Sequence, residues 1–152
     1  TLVTATSASV QGIIAKRQGA TAYTGWGVYK WDTDKLGVQI NSDYSAGNYI
    51  EVKGSTLLTS TFKTLSVIYT GSSAASGITA RVNGIAETLT VAADGLTGAI
   101  STAANTEIGS AGGISFLALD LACLYFYNRA LSLTETSLVE KYMARKYGLV
   151  IS

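Results

Sequence analysis

The chain has 152 residues, enough for one domain with a core of its own. Its 11 Lys and Arg balance 10 Asp and Glu, so bulk attraction to nucleic acid or anionic lipid is not expected. At 14% charged residues, the surface reads as neutral and rich in Ser, Thr, Ala and Gly. The lack of His removes His-based triads, His zinc ligands and histidine pH switching, and the single Cys123 excludes a disulfide within the sequence.

Alternation and enrichment in β-branched and aromatic residues predict strands over 2–6, 10–16, 25–31, 35–40, 48–53, 63–70, 77–83, 86–91, 105–109 and 114–127. With no Pro in the chain, Gly and Asn must make the turns. Trp31-Asp32-Thr33-Asp34-Lys35 reads as a hairpin turn, and Asn83-Gly84 is the strongest two-residue hairpin signal. Segments 41–48 and 92–104 read as loops, and the Ser/Ala/Gly run at 71–77 as a flexible turn. The longest apolar run, 114–126, is broken by Ser115 and Asp120 and is too short to cross a bilayer as a helix, so no membrane insertion is expected. Its parity places Cys123 as an inert core residue beside Leu117, Leu119 and Leu121, and turns Asp120 to water.

One helix follows. Ser132 and Glu135 have the spacing of a capping box, Glu135, Arg145 and Lys146 suit the helix dipole, and Gly148 is a left-handed stop. Leu138, Val139, Tyr142, Met143 and Tyr147 form the predicted packing stripe, leaving Glu140, Lys141, Ala144 and Arg145 on a wet face. Short strands in regular succession with a single helix predict an antiparallel sandwich and not βαβ units.

The aromatics carry the first functional expectation, because a ring can lie against the apolar face of a sugar while amides and carboxylates fix its hydroxyls. In 25–31, Trp26, Val28 and Lys30 share one side and Gly27, Tyr29 and Trp31 the other. Val28 argues that Trp26 is core, which leaves Tyr29 and Trp31 as an exposed platform. The following loop adds Asp43, Tyr44, Asn48 and Tyr49 as glycan contacts. On this reading Trp31→Ala leaves the fold intact and removes glycan binding. The competing reading packs Tyr29 and Trp31 against the next strand or a neighbouring subunit, with a loop that merely turns.

Asp32 and Asp34 flank one Thr and offer two oxygens to calcium, with Asp43 or Asp94 to join them in space. Calcium requires six to eight oxygens, and paired carboxylates in a turn more often cap the backbone, so no metal or other cofactor is expected. Glycoside hydrolysis needs two facing carboxyl groups, and Glu51 and Glu87 stand alone in sequence. Gly109 to Gly113 lacks the Lys-Ser/Thr and the following helix of a phosphate loop. Lys16-Arg17 and Arg145-Lys146 read as ordinary solvated pairs.

Over roughly its last half, the chain carries Val82-Asn83-Gly84, Ile108-Gly109-Ser110, Tyr127-Asn128-Arg129-Ala130-Leu131-Ser132 and Lys146-Tyr147-Gly148-Leu149. In order and spacing these resemble the laminin-G-like branch of the concanavalin A-like lectin and glucanase jelly rolls. Gly12-Ile13-Ile14-Ala15-Lys16, Gly25-Trp26-Gly27-Val28 and Lys35-Leu36-Gly37-Val38 look like the family's earlier strands, less specifically. The resemblance implies an all-β, antiparallel jelly-roll β-sandwich with one short C-terminal α-helix, one domain over 1–152. It also implies that the first strand is missing, so that the chain is a piece of a longer polypeptide or takes a strand from elsewhere, and that Arg129 is structural.

The glucanase relatives' Glu-x-Asp strand motif is absent, so no enzyme is expected. The function implied is noncatalytic recognition and adhesion, toward a cell-surface glycan or protein receptor, within an extracellular or phage virion protein. The alternative is a structural fibre or decoration subunit whose outward aromatics are covered by neighbouring subunits.

Overall fold

A computed structural model describes residues 1–4, 8–19 and 22–151. In chain order the strands are β1 (Leu2–Thr4), β2 (Gln11–Arg17), β3 (Gly25–Lys30), β4 (Lys35–Asp43), β5 (Asn48–Leu57), β6 (Leu65–Tyr69), β7 (Ile78–Val82), β8 (Ile85–Ala86), β9 (Thr90–Asp94), β10 (Thr106–Ile108) and β11 (Leu119–Leu121), and helix α1 spans Leu133–Tyr147. The part of the predicted first strand beyond Thr4 lies outside the described residues.

An antiparallel six-stranded sheet, ordered β10-β2-β3-β4-β5-β9, forms one layer. The second layer holds β6-β7-β8 and the pair β1-β11, which a bridge between Leu2 and Lys63 joins to the start of β6. The protein is thus an all-β sandwich with one C-terminal helix.

Cross-strand register explains where the core lies. Ile14, Val28, Val38 and Val52 stand opposite one another across four strands, and Trp26, Ile40 and Ile50 form the next row. These rows meet Leu2, Ile78, Ala80 and Val82 of the second layer. Each aliphatic side chain so buried contributes about 1.5–3 kcal/mol. Trp26 packs against this core as expected, stacked on Phe126 with centroids 5.5 Å apart.

The predicted Asn83-Gly84 hairpin forms, with φ of 51° and 79° at the two positions, as a type I′ turn demands. The predicted strand 86–91 is divided instead: β8 stays with the second layer while β9 crosses to the edge of the six-stranded sheet. The predicted strand 114–127 forms a ladder only over β11, against β1; Ile114 makes an isolated bridge to Ala111, and residues 123–127 belong to no strand. Phe116, Leu124, Tyr125, Phe126 and Tyr127 are consequently exposed. Cys123 is half-buried, and Asp120 is exposed as its parity required.

Helix α1 has both expected ends: Ser132 and Glu135 form the capping box, and Gly148 closes the helix at φ 65° with its N–H on the Ala144 carbonyl. Its packing face differs from the prediction. Thr136, Glu140, Met143 and Ala144 are buried, whereas Leu138 and Tyr142 are exposed. The cause is Arg81 on β7, whose Nε lies 3.1 and 3.2 Å from the two Glu140 carboxylate oxygens and whose Nη2 donates to the Gly84 carbonyl. Hydrophobic periodicity records apolar side chains and is blind to a buried ion pair that turns the helix.

Glu135 also accepts from Arg129 at 2.6 and 3.0 Å and from the Ser132 amide at 2.9 Å. The Arg129 hydrogen bonds first, then those of Ser132, draw its carboxyl down from 4.5 to about 2. Because the folded value is depressed, this carboxylate's contribution to helix stability is complete above pH 4.5 and is lost as the pH falls toward 2. A side-chain NMR titration of Glu135 is expected to show a midpoint near 2, and a midpoint near 4.5 would mean that the corner pairing does not form.

Candidate functional site

The face of the six-stranded sheet turned away from the core is built from the same register. Ala15, Gly27, Gln39 and Glu51 form one row across it, and Arg17, Gly25, Asn41 and Tyr49 the next. Polar and aromatic groups therefore occupy the positions that a second apolar layer would otherwise take.

Tyr29 and Trp31 lie on this face, but they do not form an exposed platform, contrary to the sequence expectation. Tyr29 is 1% and Trp31 9% exposed. The two rings meet edge to face at 6.0 Å and fold down onto the sheet where it has no side chains. A Cβ at Gly27 would stand 2.4 Å from the Tyr29 hydroxyl, and one at Gly37 2.4 Å from Trp31 Cε3. With Ala15 and Ala111 they make a second, smaller apolar cluster. Arg17 caps it: its guanidinium lies 5.5 Å from the Tyr29 centroid and donates to the Ala111 carbonyl at 3.2 Å, closing the loop after β10 over this end. Burial pushes the Tyr29 phenol up to about 12.

The other predicted contacts remain near the surface. Tyr44 is the central ring of a cluster, 4.5 Å from Tyr49 and 5.7 Å from Tyr23. Tyr44 is 38% exposed and Tyr23 and Tyr49 are half-buried. Tyr23 takes a left-handed φ of 49°, its carbonyl accepts from Asn41 Nδ2 at 3.3 Å, and the Arg17 guanidinium covers its ring at 4.5 Å. The Tyr44 amide bonds the Ala22 carbonyl at 2.8 Å, which ties the 44–47 turn to the segment before β3. Desolvation, with Tyr49 second, raises the Tyr44 phenol.

Asp43 and Asn48 hold backbone in place around these rings. Asp43 Oδ1 accepts from Ser45 Oγ at 2.7 Å and the Ala46 amide at 3.1 Å, and these bonds lower its carboxyl. Asn48 Oδ1 accepts from the Thr97 and Gly98 amides at 2.8 and 3.2 Å, anchoring the loop after β9. Beside them Glu51 takes Gln39 Nε2 at 2.7 Å and Lys53 Nζ at 3.2 Å, and Lys53 lies 4.7 Å above Trp31.

Tyr23 and Arg17 were missed by sequence reasoning. They lie outside the predicted loop, and only folding of the β2-β3 connection against the 44–47 turn places them there. Arg17, read as a solvated member of a basic pair, is buried.

The weak calcium pair is not assembled. Asp34 Oδ1 lies 2.6 Å from Lys30 Nζ, whose side chain is fully buried, so this carboxylate already has a cation. Asp32 is exposed, and Asp94 accepts from the Ala75 amide at 2.7 Å. Glu107 occupies the glycine loop itself, accepting from Ser110 Oγ at 2.5 Å and the Gly113 amide at 3.0 and 3.1 Å. Among the described residues no group of three or more metal-ligating side chains is found.

A cleft of about 590 Å³ opens between the layers, bounded by Trp26 and Val28 on one side, by β6 on another and by residues 121–131. A shallower groove of about 300 Å³ lies between Tyr125, Tyr127 and helix residues Leu138, Val139 and Tyr142. No family model, curated protein or solved structure matches this chain.

Proposed function

We propose that this domain is a noncatalytic recognition module that holds a glycan against the Tyr23, Tyr44 and Tyr49 rings, and that it serves adhesion within an extracellular or phage virion protein. The observation that carries this reading is the contiguity of three partly exposed tyrosines, with bonded loops fixing their backbones. Such rings offer an apolar surface to one face of a pyranose, while their hydroxyls and the neighbouring Asp43 and Lys53 can bond its edge. The extracellular or virion setting rests on the laminin-G-like resemblance alone. Support for a noncatalytic role comes from the carboxylates, since Glu51, Glu87, Glu107, Glu135 and Glu140 are each bonded to structural partners.

Tyr44→Ala is expected to lower glycan-array signal or solution affinity at least about tenfold, and to cost only about 0.5–1.5 kcal/mol of stability from its lost ring contacts. A selective glycan signal that survives this substitution, or an array without any signal, counts against the site. A second reading, a structural subunit of an assembly, is favoured by the exposure of Phe116, Phe126, Leu138 and Tyr142. A mass that rises with concentration in sedimentation, together with a silent array, would make that reading the better one.

A further inference from the structure

Three buried polar atoms on the outer face of the six-stranded sheet have no hydrogen-bond partner among the described residues: Arg17 Nε, the Tyr29 hydroxyl and Asn41 Oδ1. Their residues are 7%, 1% and 0% exposed, so surface water does not satisfy them. Buried polar groups are ordinarily paired, and each of these calls for a partner. The register gathers them around one spot. Arg17 and Asn41 stand on either side of Gly25 in one cross-strand row, and the Tyr29 hydroxyl lies over Gly27, the next residue of β3 on that face. Glycine carries no side chain, so the backbone between the three groups is bare.

The chemistry of these atoms narrows what fits among them. Asn41 Nδ2 donates to the Tyr23 carbonyl at 3.3 Å, which sets the amide's orientation, because a flipped amide would turn Oδ1 toward that carbonyl. Asn41 Oδ1 therefore needs a donor. Arg17 Nη2 is held by the Ala111 carbonyl at 3.2 Å, and Nε needs an acceptor. The Tyr29 phenol, pushed up to about 12 by burial, stays protonated at neutral pH and serves either need. A carboxylate or sulfate would bring a second acceptor to Asn41 Oδ1, and an ammonium would bring a like charge to Arg17. A hydroxyl both accepts and donates, and it satisfies all three.

We infer that the notch at Gly25 is a subsite for the primary hydroxyl of a hexose, and that the saccharide held by the tyrosine rings is one whose hydroxymethyl group is free. The inference rests on the glycan reading and deepens it. The rings frame the notch: Tyr49 follows Asn41 in the same row, Tyr23 lies beneath the Arg17 guanidinium, and Tyr44 touches both rings. A pyranose laid on these rings keeps its ring hydroxyls at the surface. Its hydroxymethyl stands one carbon off the ring and turns about its own bond, so it alone reaches side chains buried this deeply. Pentoses and 6-deoxyhexoses leave the three atoms without a partner, and the site selects against them. Water offers the same donor and acceptor chemistry and holds the notch when no sugar is bound.

The test titrates the protein with the methyl glycosides of glucose, galactose and mannose and with the 6-deoxy form of each, followed by amide shifts in NMR. At least one hexoside is expected to bind at least about tenfold more tightly than its 6-deoxy form. Tyr29→Phe removes one hydroxyl and keeps the buried ring; it is expected to melt within about 3 °C of the parent protein and to reduce that ratio below about threefold. In the free protein the Tyr29 hydroxyl is expected to show a nuclear Overhauser effect to water that disappears at saturating hexoside. Equal binding of the hexosides and their 6-deoxy forms overturns the inference and leaves the glycan reading standing. A water signal that persists at saturation also overturns it, since the notch then holds a structural water only. Silence from every glycoside, with a silent glycan array, removes the glycan reading and the inference with it.

Discussion

Glu140→Gln is expected to destabilise the protein by about 3–5 kcal/mol, because it leaves the Arg81 guanidinium in a mostly buried position without its counter-charge. Glu140 is 1% exposed and holds Arg81 Nε through both carboxylate oxygens, so one substitution removes the link between α1 and β7. For a domain of this size each kcal/mol lowers Tm by about 2–4 °C, which predicts a fall of roughly 6–20 °C in a thermal melt followed by circular dichroism. Replacing both partners, as Arg81→Met with Glu140→Leu, is expected to recover most of the loss, since an apolar pair of similar volume has no charge to desolvate. A single variant that melts with the parent protein would show that the pair does not set the helix orientation. A double variant no better than the single would assign the loss to shape and not to charge.

Trp31→Ala is expected to cost about 3–5 kcal/mol, the range for removing a buried large aromatic side chain. Its ring fills the space above Gly37, meets Tyr29 edge to face and lies beneath Lys53. Its removal opens a cavity in the smaller apolar cluster and leaves the Tyr29 ring without its neighbour. Urea unfolding is the appropriate measurement, with the midpoint falling and the slope unchanged. An unaltered midpoint would restore the exposed platform that sequence alternation suggested. Trp31→Ala and Tyr44→Ala together separate scaffold from surface: the first is expected to lose stability and the second to lose binding.

The features legible in the sequence were those set by short-range chemistry. Asn83-Gly84 made its turn because both residues accept positive φ, and the Ser132 box and Gly148 stop formed from groups within a few residues of one another. Strand alternation separated Trp26 and Val28 from Gly27 and Tyr29 along β3, and Trp26 joined the main core. Alternation also assigned Tyr29 and Trp31 to the outer face. What it missed was that a face can be closed by its own rings when the positions beneath are Gly27 and Gly37, and when Arg17 and Ala111 arrive from other strands.

The same division holds for the rest of the chain. In the ring cluster, Tyr44 and Tyr49 are near one another in sequence, while Tyr23 joins them through the β2-β3 connection. Helix α1 was read from its apolar stripe, yet Arg81, 59 residues before Glu140, chose the face that packs. The apolar pattern of 114–127 marked it as strand material, but a strand also needs a neighbour's ladder, and only Leu119–Leu121 pairs in one among the described residues. The sequence by itself determined the all-β class, the Asn83-Gly84 turn, the helix ends and the two faces of β3, because each depends on local dihedral preference or a period of two. Tertiary structure alone decided which aromatics are open, which helix face is buried and which sheet edge is left unpaired, because these depend on partners distant in the chain.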